Sequence, residues 1–209
     1  MLKPQFAHIR NIIFDIGNVL VDIDYKVTIA EFQKLAKVDF AEIVSYSKQE
    51  RIFDRFEKGE ITVSEFFTGL RKYLKDDVSD SQITDAWNSI LINYPKAKFD
   101  LLDNLKEHYN VFALSNINQI HADSLDVVAQ NRLGKNSFRD FFHHAYYSHE
   151  MGCRKPEIAI YEIVLKEQKL ISAETLFIDD KSENTSAADT LGIQTHHLTS
   201  PEKLFELFV

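Results

Sequence analysis

The sequence predicts an α/β protein: a doubly wound parallel sheet with an all-helical cap inserted after its first strand. Two observations carry that reading. Short apolar runs alternate with helical periodicities, and three of the runs end on reactive polar residues: Asn11-Ile12-Ile13-Phe14 runs into Asp15, Val111-Phe112-Ala113-Leu114 into Ser115-Asn116, and Thr175-Leu176-Phe177-Ile178 into Asp179-Asp180. Such runs bounded by loops read as buried strands of a parallel sheet. Between about residues 25 and 93 the alternation stops and only helical spacing remains.

Residues 10–14 are expected as the first strand, and 16–24, which hold a glycine and several Val, Ile and Asp, as a turn with a small extended flap. Val27, Phe32 and Leu35, then Ile52, Phe53 and Phe56, then Phe66, Phe67, Leu70 and Leu74, then Ile83, Trp87 and Ile90 recur at helical spacing, with no convincing strand among them. Lys58-Gly59-Glu60-Ile61-Thr62 joins two of these helices, and Thr62-Val63-Ser64-Glu65 resembles a capping box. After Pro95 come a helix over 96–108, a strand over 111–114, a helix over 119–130, a strand at His144-Ala145-Tyr146-Tyr147 and a helix over 156–169 with Pro156 at its first position. A strand over 174–178, a helix over 183–191 ended by Gly192 and a strand from Gln194 to His197 complete the chain. Repeated βα units imply right-handed crossovers. The expected division is a core of residues 1–21 and 95–209 with a cap of residues 22–94. The cap leaves and re-enters at the sheet's carboxyl edge, so it must sit over that edge.

With 209 residues the chain can bury one sizeable core and a smaller appended domain. A net charge of −8 with no dense Lys/Arg block argues against a nucleic-acid or anionic-membrane surface. The single cysteine, Cys153, excludes an intrachain disulfide and fits a reducing compartment, so a cytoplasmic location is expected. The N-terminal apolar run is cut by Asp15, Asp22 and Asp24, which fits neither a signal core nor a membrane span.

In open α/β sheets ligands bind at the carboxyl ends of the strands, so the three polar junctions should converge. Asp15, where a buried strand opens into a glycine turn, can serve as a nucleophile toward phosphorus and as a ligand for a hard cation, or it can be an ordinary turn residue. Asp179 and Asp180 repel one another unless a cation compensates, and Mg²⁺ favours such oxygen ligands. Asn184 can hold one of these carboxylates or simply face solvent. Ser115 and Asn116 offer a hydroxyl and backbone N–H groups that suit phosphate oxygens, and equally suit an N-cap. Lys155 is positioned to neutralise both a nucleophile and a phosphate, although an exposed lysine is the commoner role. His143-His144 and His196-His197 lack the spacing of a zinc site and read as structural. Cys153 has no base beside it. Phe53 and Phe56 read as helix packing ahead of substrate contact.

Phe14-Asp15-Ile16-Gly17-Asn18-Val19-Leu20-Val21-Asp22, Leu114-Ser115-Asn116, Gly152-Cys153-Arg154-Lys155-Pro156-Glu157 and Ile178-Asp179-Asp180 occur in the order of the four motifs of the haloacid dehalogenase-like (HAD) hydrolase superfamily, and the chain resembles that family over essentially its whole length. The branch it is most similar to holds bacterial sugar-phosphate phosphatases and the amino-terminal phosphatase domain of soluble epoxide hydrolases. The resemblance implies a Rossmannoid core with a helical cap, and a Mg²⁺-dependent phosphatase acting on a small phosphorylated metabolite such as a sugar phosphate through an aspartyl-phosphate. Asp15 would be nucleophile and metal ligand, the Gly17 carbonyl and Asp180 further ligands, and Asp179 and Asn184 supports behind them. Ser115, the Asn116 N–H and Lys155 would hold the phosphoryl group.

One position departs from the pattern. Phosphatases of this family usually carry a second Asp two residues after the nucleophile, where this chain has Gly17. That acid–base help is worth about 10²–10⁴-fold. Asp22, Asp24 and cap groups are the candidate replacements. Two other functions share these motifs: a metal-independent 2-haloacid dehalogenase, for which the Asp179-Asp180 pair has no purpose, and a catalytically weak phosphometabolite-binding protein. A phosphomutase fits less well, because returning the phosphoryl group needs acid–base assistance.

Overall fold

A computed structural model describes residues 1–39 and 51–209. Five parallel strands form the main sheet in the order β5-β4-β1-β6-β7. They are β1 (Asn11–Phe14), β4 (Asn110–Ser115), β5 (His144–Tyr147), β6 (Thr175–Asp179) and β7 (Gln194–His197). All five were legible as strands.

Alternation along the strands divides the core in two. Ile12, Phe14, Val111, Ala113, Leu176 and Ile178 face one side, and Ile13, Phe112, Leu114 and Phe177 face the other. Helices cover both sides, which is why the inner strands β1, β4 and β6 read as apolar runs. The chain progresses from β1 outward through β4 and β5, then returns to place β6 on the opposite flank of β1. The carboxyl end of β1 is therefore the topological switch point, where a crevice must open.

The helices are α1 (Tyr25–Leu35), α2 (Ile52–Glu57), α3 (Val63–Arg71), α4 (Asp80–Asn88), α5 (Lys96–Leu105), α6 (Gln119–Val128), α7 (Ser148–Met151), α8 (Ile158–Glu167) and α9 (Ser182–Asp189) among the described residues. The first four form the inserted layer. The Thr62 and Glu65 capping box opens α3, and a second box, Ser79 with Gln82, opens α4. The insert has its own core around Phe32, Phe56, Phe66, Leu70 and Ile83, and Ile120 of α6 joins that cluster from the sheet domain. Phe56 stacks on Phe66 at 4.1 Å between ring centroids, and Phe53 lies against Phe66 and Trp87, so both belong to helix packing.

Two expectations require correction. Residues 25–93 do contain a strand: β3 (Leu91–Asn93) pairs antiparallel with β2 (Asp22–Ile23), so the chain leaves and re-enters the sheet domain through a two-stranded ribbon. Three residues, partly exposed, are too few to display a strand period. Pro156 does not open a helix either. Lys155-Pro156 is a cis peptide, the Glu157 N–H closes a turn on the Arg154 carbonyl at 2.8 Å, and α8 begins at Ile158.

Candidate active site

Register brings the polar junctions level. Phe14 is opposite Ala113 on one flank and Ile178 on the other, so Asp15, Leu114-Ser115 and Asp179 emerge at neighbouring strand ends. The Asp15 N–H extends the ladder by one bond, to the Ile178 carbonyl at 2.9 Å.

Lys155 lies between the acids. Its Nζ is 2.8 Å from Asp15 Oδ1 and 2.7 Å from Asp179 Oδ2, and its side chain is 1% exposed. Asp15 Oδ1 also accepts the Ile16 N–H at 2.7 Å. Asp179 is the more enclosed carboxylate, accepting from Asn184 Nδ2 on both oxygens and from the Lys181 N–H. Of the two roles open to Asn184, the structure shows the carboxylate-holding one. Asn116 clamps the lysine's backbone: its Nδ2 donates to the Lys155 carbonyl at 2.9 Å and its Oδ1 accepts the Lys155 N–H at 2.8 Å. With that side chain engaged, the Asn116 backbone N–H is the group it has to offer a ligand. Ser115 is buried and lines the adjoining cavity.

Carboxylate oxygens of Asp15, Asp179 and Asp180 lie within 4.8 Å of one another, the only such acidic or Cys/His cluster among the described residues. Asn18 Nδ2 donates to Asp180 Oδ2 at 3.1 Å. Burial pushes the Asp15 carboxyl up to about 6, with Asp179 and Asp180 adding to the rise and Lys155 opposing it. Burial works against the Lys155 charge too, but Asp15 and Asp179 outweigh it and raise the ammonium above its usual range. Three carboxylates sharing one lysine leave negative charge uncompensated, the setting in which a hard divalent cation binds.

A cavity of about 110 Å³ lies between the sheet domain and the insert, reached from this cluster through Ile16, Gly17, Ser115 and Asn116. Gly17, Ser115, Asn116, Ile117 and Leu125 line its floor and side, and Tyr25, Thr28, Glu57, Trp87, Ile90 and Leu91 its roof. Gly17 is not in the left-handed region; a Cβ there would meet Ile23 Cδ1 of the flap at 2.9 Å. The other candidate acids near the flap are engaged. Asp22 accepts from Lys98 and Asn93, and Asp24 caps α1 by accepting the Lys26 N–H.

The roof is fastened at two seams. At one, the Trp87 indole stacks on His121 at 5.3 Å and donates to Asn118 Oδ1, while His121 Nε2 meets the Trp87 carbonyl at 3.1 Å. Burial pushes His121 down to about 4, so it is neutral. At the other, Arg154 pairs with Asp54 and Glu57 of α2, Ser148 Oγ donates to the Glu57 carbonyl at 2.6 Å, and Lys58 pairs with Glu157. Asn18, Glu57, Trp87, His121 and Arg154 escaped sequence reasoning as site residues. Arg154 and Asn18 sit inside the motifs and were the most findable. Glu57, Trp87 and His121 carry no local signal, because long-range docking brings them to the cavity.

The paired histidines are structural, as expected: His143 Nδ1 accepts the Val111 N–H, His144 lies against Tyr146, and His197 meets the Asp180 carbonyl. Cys153 is buried and free, and burial raises its thiol. No helix among the described residues is long and apolar enough to cross a membrane.

The chain is similar to known proteins in sequence and fold. A family model described as haloacid dehalogenase-like hydrolase matches residues 9–192. A D-ribitol-5-phosphate phosphatase of Bacteroides thetaiotaomicron is 30% identical over 90% of this chain and 90% of its own. A pyrimidine 5'-nucleotidase of Streptococcus pneumoniae is 22% identical over 94% of this chain and 90% of its own. A solved HAD family enzyme of Bacteroides thetaiotaomicron, in complex with magnesium and inorganic phosphate, is 37% identical and superposes with a TM-score of 0.86 over 96% of this chain and 100% of that one.

Proposed function

The chain belongs to the haloacid dehalogenase-like hydrolases and is a phosphoric monoester hydrolase, and we propose that it is a Mg²⁺-dependent phosphatase of a small sugar or polyol phosphate, working through an aspartyl-phosphate. The carrying observation is the union of Asp15, Lys155 and Asp179 in buried ion pairs with Asp180 beside them, at the mouth of a small cavity lined by Ser115. Asp15 Oδ1 is held by Lys155 and the Ile16 N–H, which leaves Oδ2 to attack phosphorus. Ser115, the Asn116 N–H and Lys155 would bind the phosphoryl oxygens. Asp15, the Gly17 carbonyl and Asp180 would hold the cation, which when bound offsets phosphate charge. Asp179 and Asn184 act behind this layer by fixing Lys155.

The cavity also fits the substrate class. It is small, with apolar walls and a few polar groups, suited to a short carbon chain rather than a polymer. The D-ribitol-5-phosphate phosphatase relative points the same way. A metabolite-phosphate panel with Mg²⁺, repeated in EDTA, tests the reading. Phosphate release from short sugar or polyol phosphates that stops in EDTA is expected. Undiminished release in EDTA, or halide release from a 2-haloacid, would replace it with the dehalogenase reading.

A further inference from the structure

We propose that Glu57, a residue of the cap, is the general acid and base that position 17 does not supply. This deepens the phosphatase reading above and rests on it. Primary alkyl phosphates have poor leaving groups, so a proton donor near the bridging oxygen is needed. Position 17 cannot serve, and Ile23 fills the space beside it. Asp22 and Asp24 are tied into the hinge and the cap of α1. Among the described residues three titratable side chains line the cavity: Tyr25, Glu57 and His121. Both ring nitrogens of His121 are engaged, by Asn118 and the Trp87 carbonyl. Tyr25 is a weaker acid made weaker still, since burial pushes its phenol up. Glu57 is the only carboxylate in the lining among the described residues.

Its placement is firm. Glu57 ends α2, its carbonyl accepts from Ser148 Oγ at 2.6 Å, and Arg154 Nη2 approaches Oε2 at 3.0 Å. That approach is an ion pair without hydrogen-bond alignment, so Oε2 is a buried acceptor lacking a donor. Arg154 is also divided between Glu57 and Asp54. Burial raises the Glu57 carboxyl above its usual range; Arg154 and Lys181 pull it down, and Asp54 and Asp15 push it up. A carboxyl raised toward working pH is suited to giving and taking a proton.

The steps balance. Asp15 Oδ2 forms a bond to phosphorus as the P–O bond to the leaving group breaks, and the Glu57 carboxylic acid gives its proton to the departing oxygen, releasing an alcohol. Water then attacks phosphorus, the Glu57 carboxylate takes its proton, and the Asp15–phosphoryl bond breaks to release phosphate. Glu57 ends protonated, as it began.

The test compares the wild type with Glu57→Gln on 4-nitrophenyl phosphate and on an alkyl phosphate that the wild type turns over, ribitol 5-phosphate being the first tried. Glu57→Gln should cut kcat on the alkyl ester by about 10²-fold or more. On the aryl ester it should leave the first turnover within a few-fold and then stall, giving a burst of nitrophenolate. The limb of the wild-type alkyl pH profile that reports this acid should vanish in the variant, and Glu57→Asp should restore part of the rate. An equal loss in the first turnover of both esters, a change in KM alone, or a leaving-group dependence carried by Tyr25→Phe instead would overturn the inference, as would a wild type that turns over aryl but no alkyl phosphates. A wild type inactive on every phosphate ester with Mg²⁺ would overturn the phosphatase reading first, and the inference with it.

Discussion

The floor of the cavity and its roof are built on opposite plans. Behind the floor the reactive groups are charged, deeply buried and bonded to one another: Lys155 to Asp15 and Asp179, Asp179 to Asn184, Asn116 to the lysine backbone. The roof is largely apolar, with Trp87, Ile90 and Leu91 beside Tyr25 and Glu57. The floor is made by adjacent strand ends whose spacing is fixed by the sheet. The roof is made by helices docked through seams of side chains. Under the proposed function, chemistry common to phosphate esters would belong to the first region and choice among esters to the second.

The largest effect that would sharpen this contrast is at Asp15. Asp15→Asn should lower kcat on every phosphate ester by on the order of 10⁴-fold or more, with an unchanged circular-dichroism spectrum. A folded variant that still releases phosphate would move the nucleophile elsewhere.

Next come the paired acids, which the structure separates. Asp179→Ala leaves the buried Lys155 with Asp15 alone and Asn184 without its acceptor, and should cost about 3–5 kcal/mol of stability, read by urea unfolding. Asp180→Ala should leave folding nearly intact and weaken Mg²⁺ binding, read by calorimetry. If the two variants behaved alike, the distinction between an ion-paired support and a cation ligand would fail.

A smaller effect is expected where floor and roof meet. Because the obstacle at Gly17 is the tip of Ile23 rather than backbone strain, Gly17→Asp combined with Ile23→Ala should accept the new side chain. With Glu57 replaced by Gln, the double variant should gain up to about 10²-fold on alkyl phosphates over Ile23→Ala in the same background, and with Glu57 in place it should gain little. A large gain with Glu57 in place would mean that acid–base help is missing from the wild type.

The smallest effect is in the pH dependence of stability, where the two regions have opposite signs. Asp15 is raised to about 6, so without metal the folded state takes up its proton first and gains stability as pH falls from 6 toward 4. His121 is lowered to about 4, so the unfolded state is protonated first and stability is lost as pH falls from 6.5 toward 4. The two partly cancel. Urea unfolding of metal-free Asp15→Asn should therefore lose stability more steeply over pH 6.5 to 4 than the wild type does. Parallel curves would show that one of the two shifts is absent.

The floor was legible in the sequence because each element was written locally: an unbroken apolar run, then a polar residue at its end. Three core strands and the convergence of Asp15, Ser115, Asp179 and Asp180 followed from that pattern and the parallel-sheet rule, and Lys155 was added by the company of the other motifs. The function of Pro156 was misread because proline at the start of a helical pattern looks the same whether it is helical or precedes the helix by a turn. The ribbon strand β3 was missed because three residues cannot display a period. Glu57, Trp87 and His121 were invisible for a different reason. Each lies on a helix whose pattern reports only which face is apolar, and nothing local says which part of that face meets the partner domain.

The β2–β3 ribbon has a consequence in chain statistics. Its pairing holds the two ends of the inserted segment about 5 Å apart, the distance between hydrogen-bonded neighbours. To the sheet, everything between residues 23 and 91 is then a loop whose ends are already closed. The entropy of closing such a loop grows only logarithmically, about 0.6 kcal/mol for each doubling of length. The sheet and its ring of acids can thus accept inserts of very different size at nearly constant cost, and a change of substrate can be made by exchanging the insert while the residues that handle phosphate stay where they are.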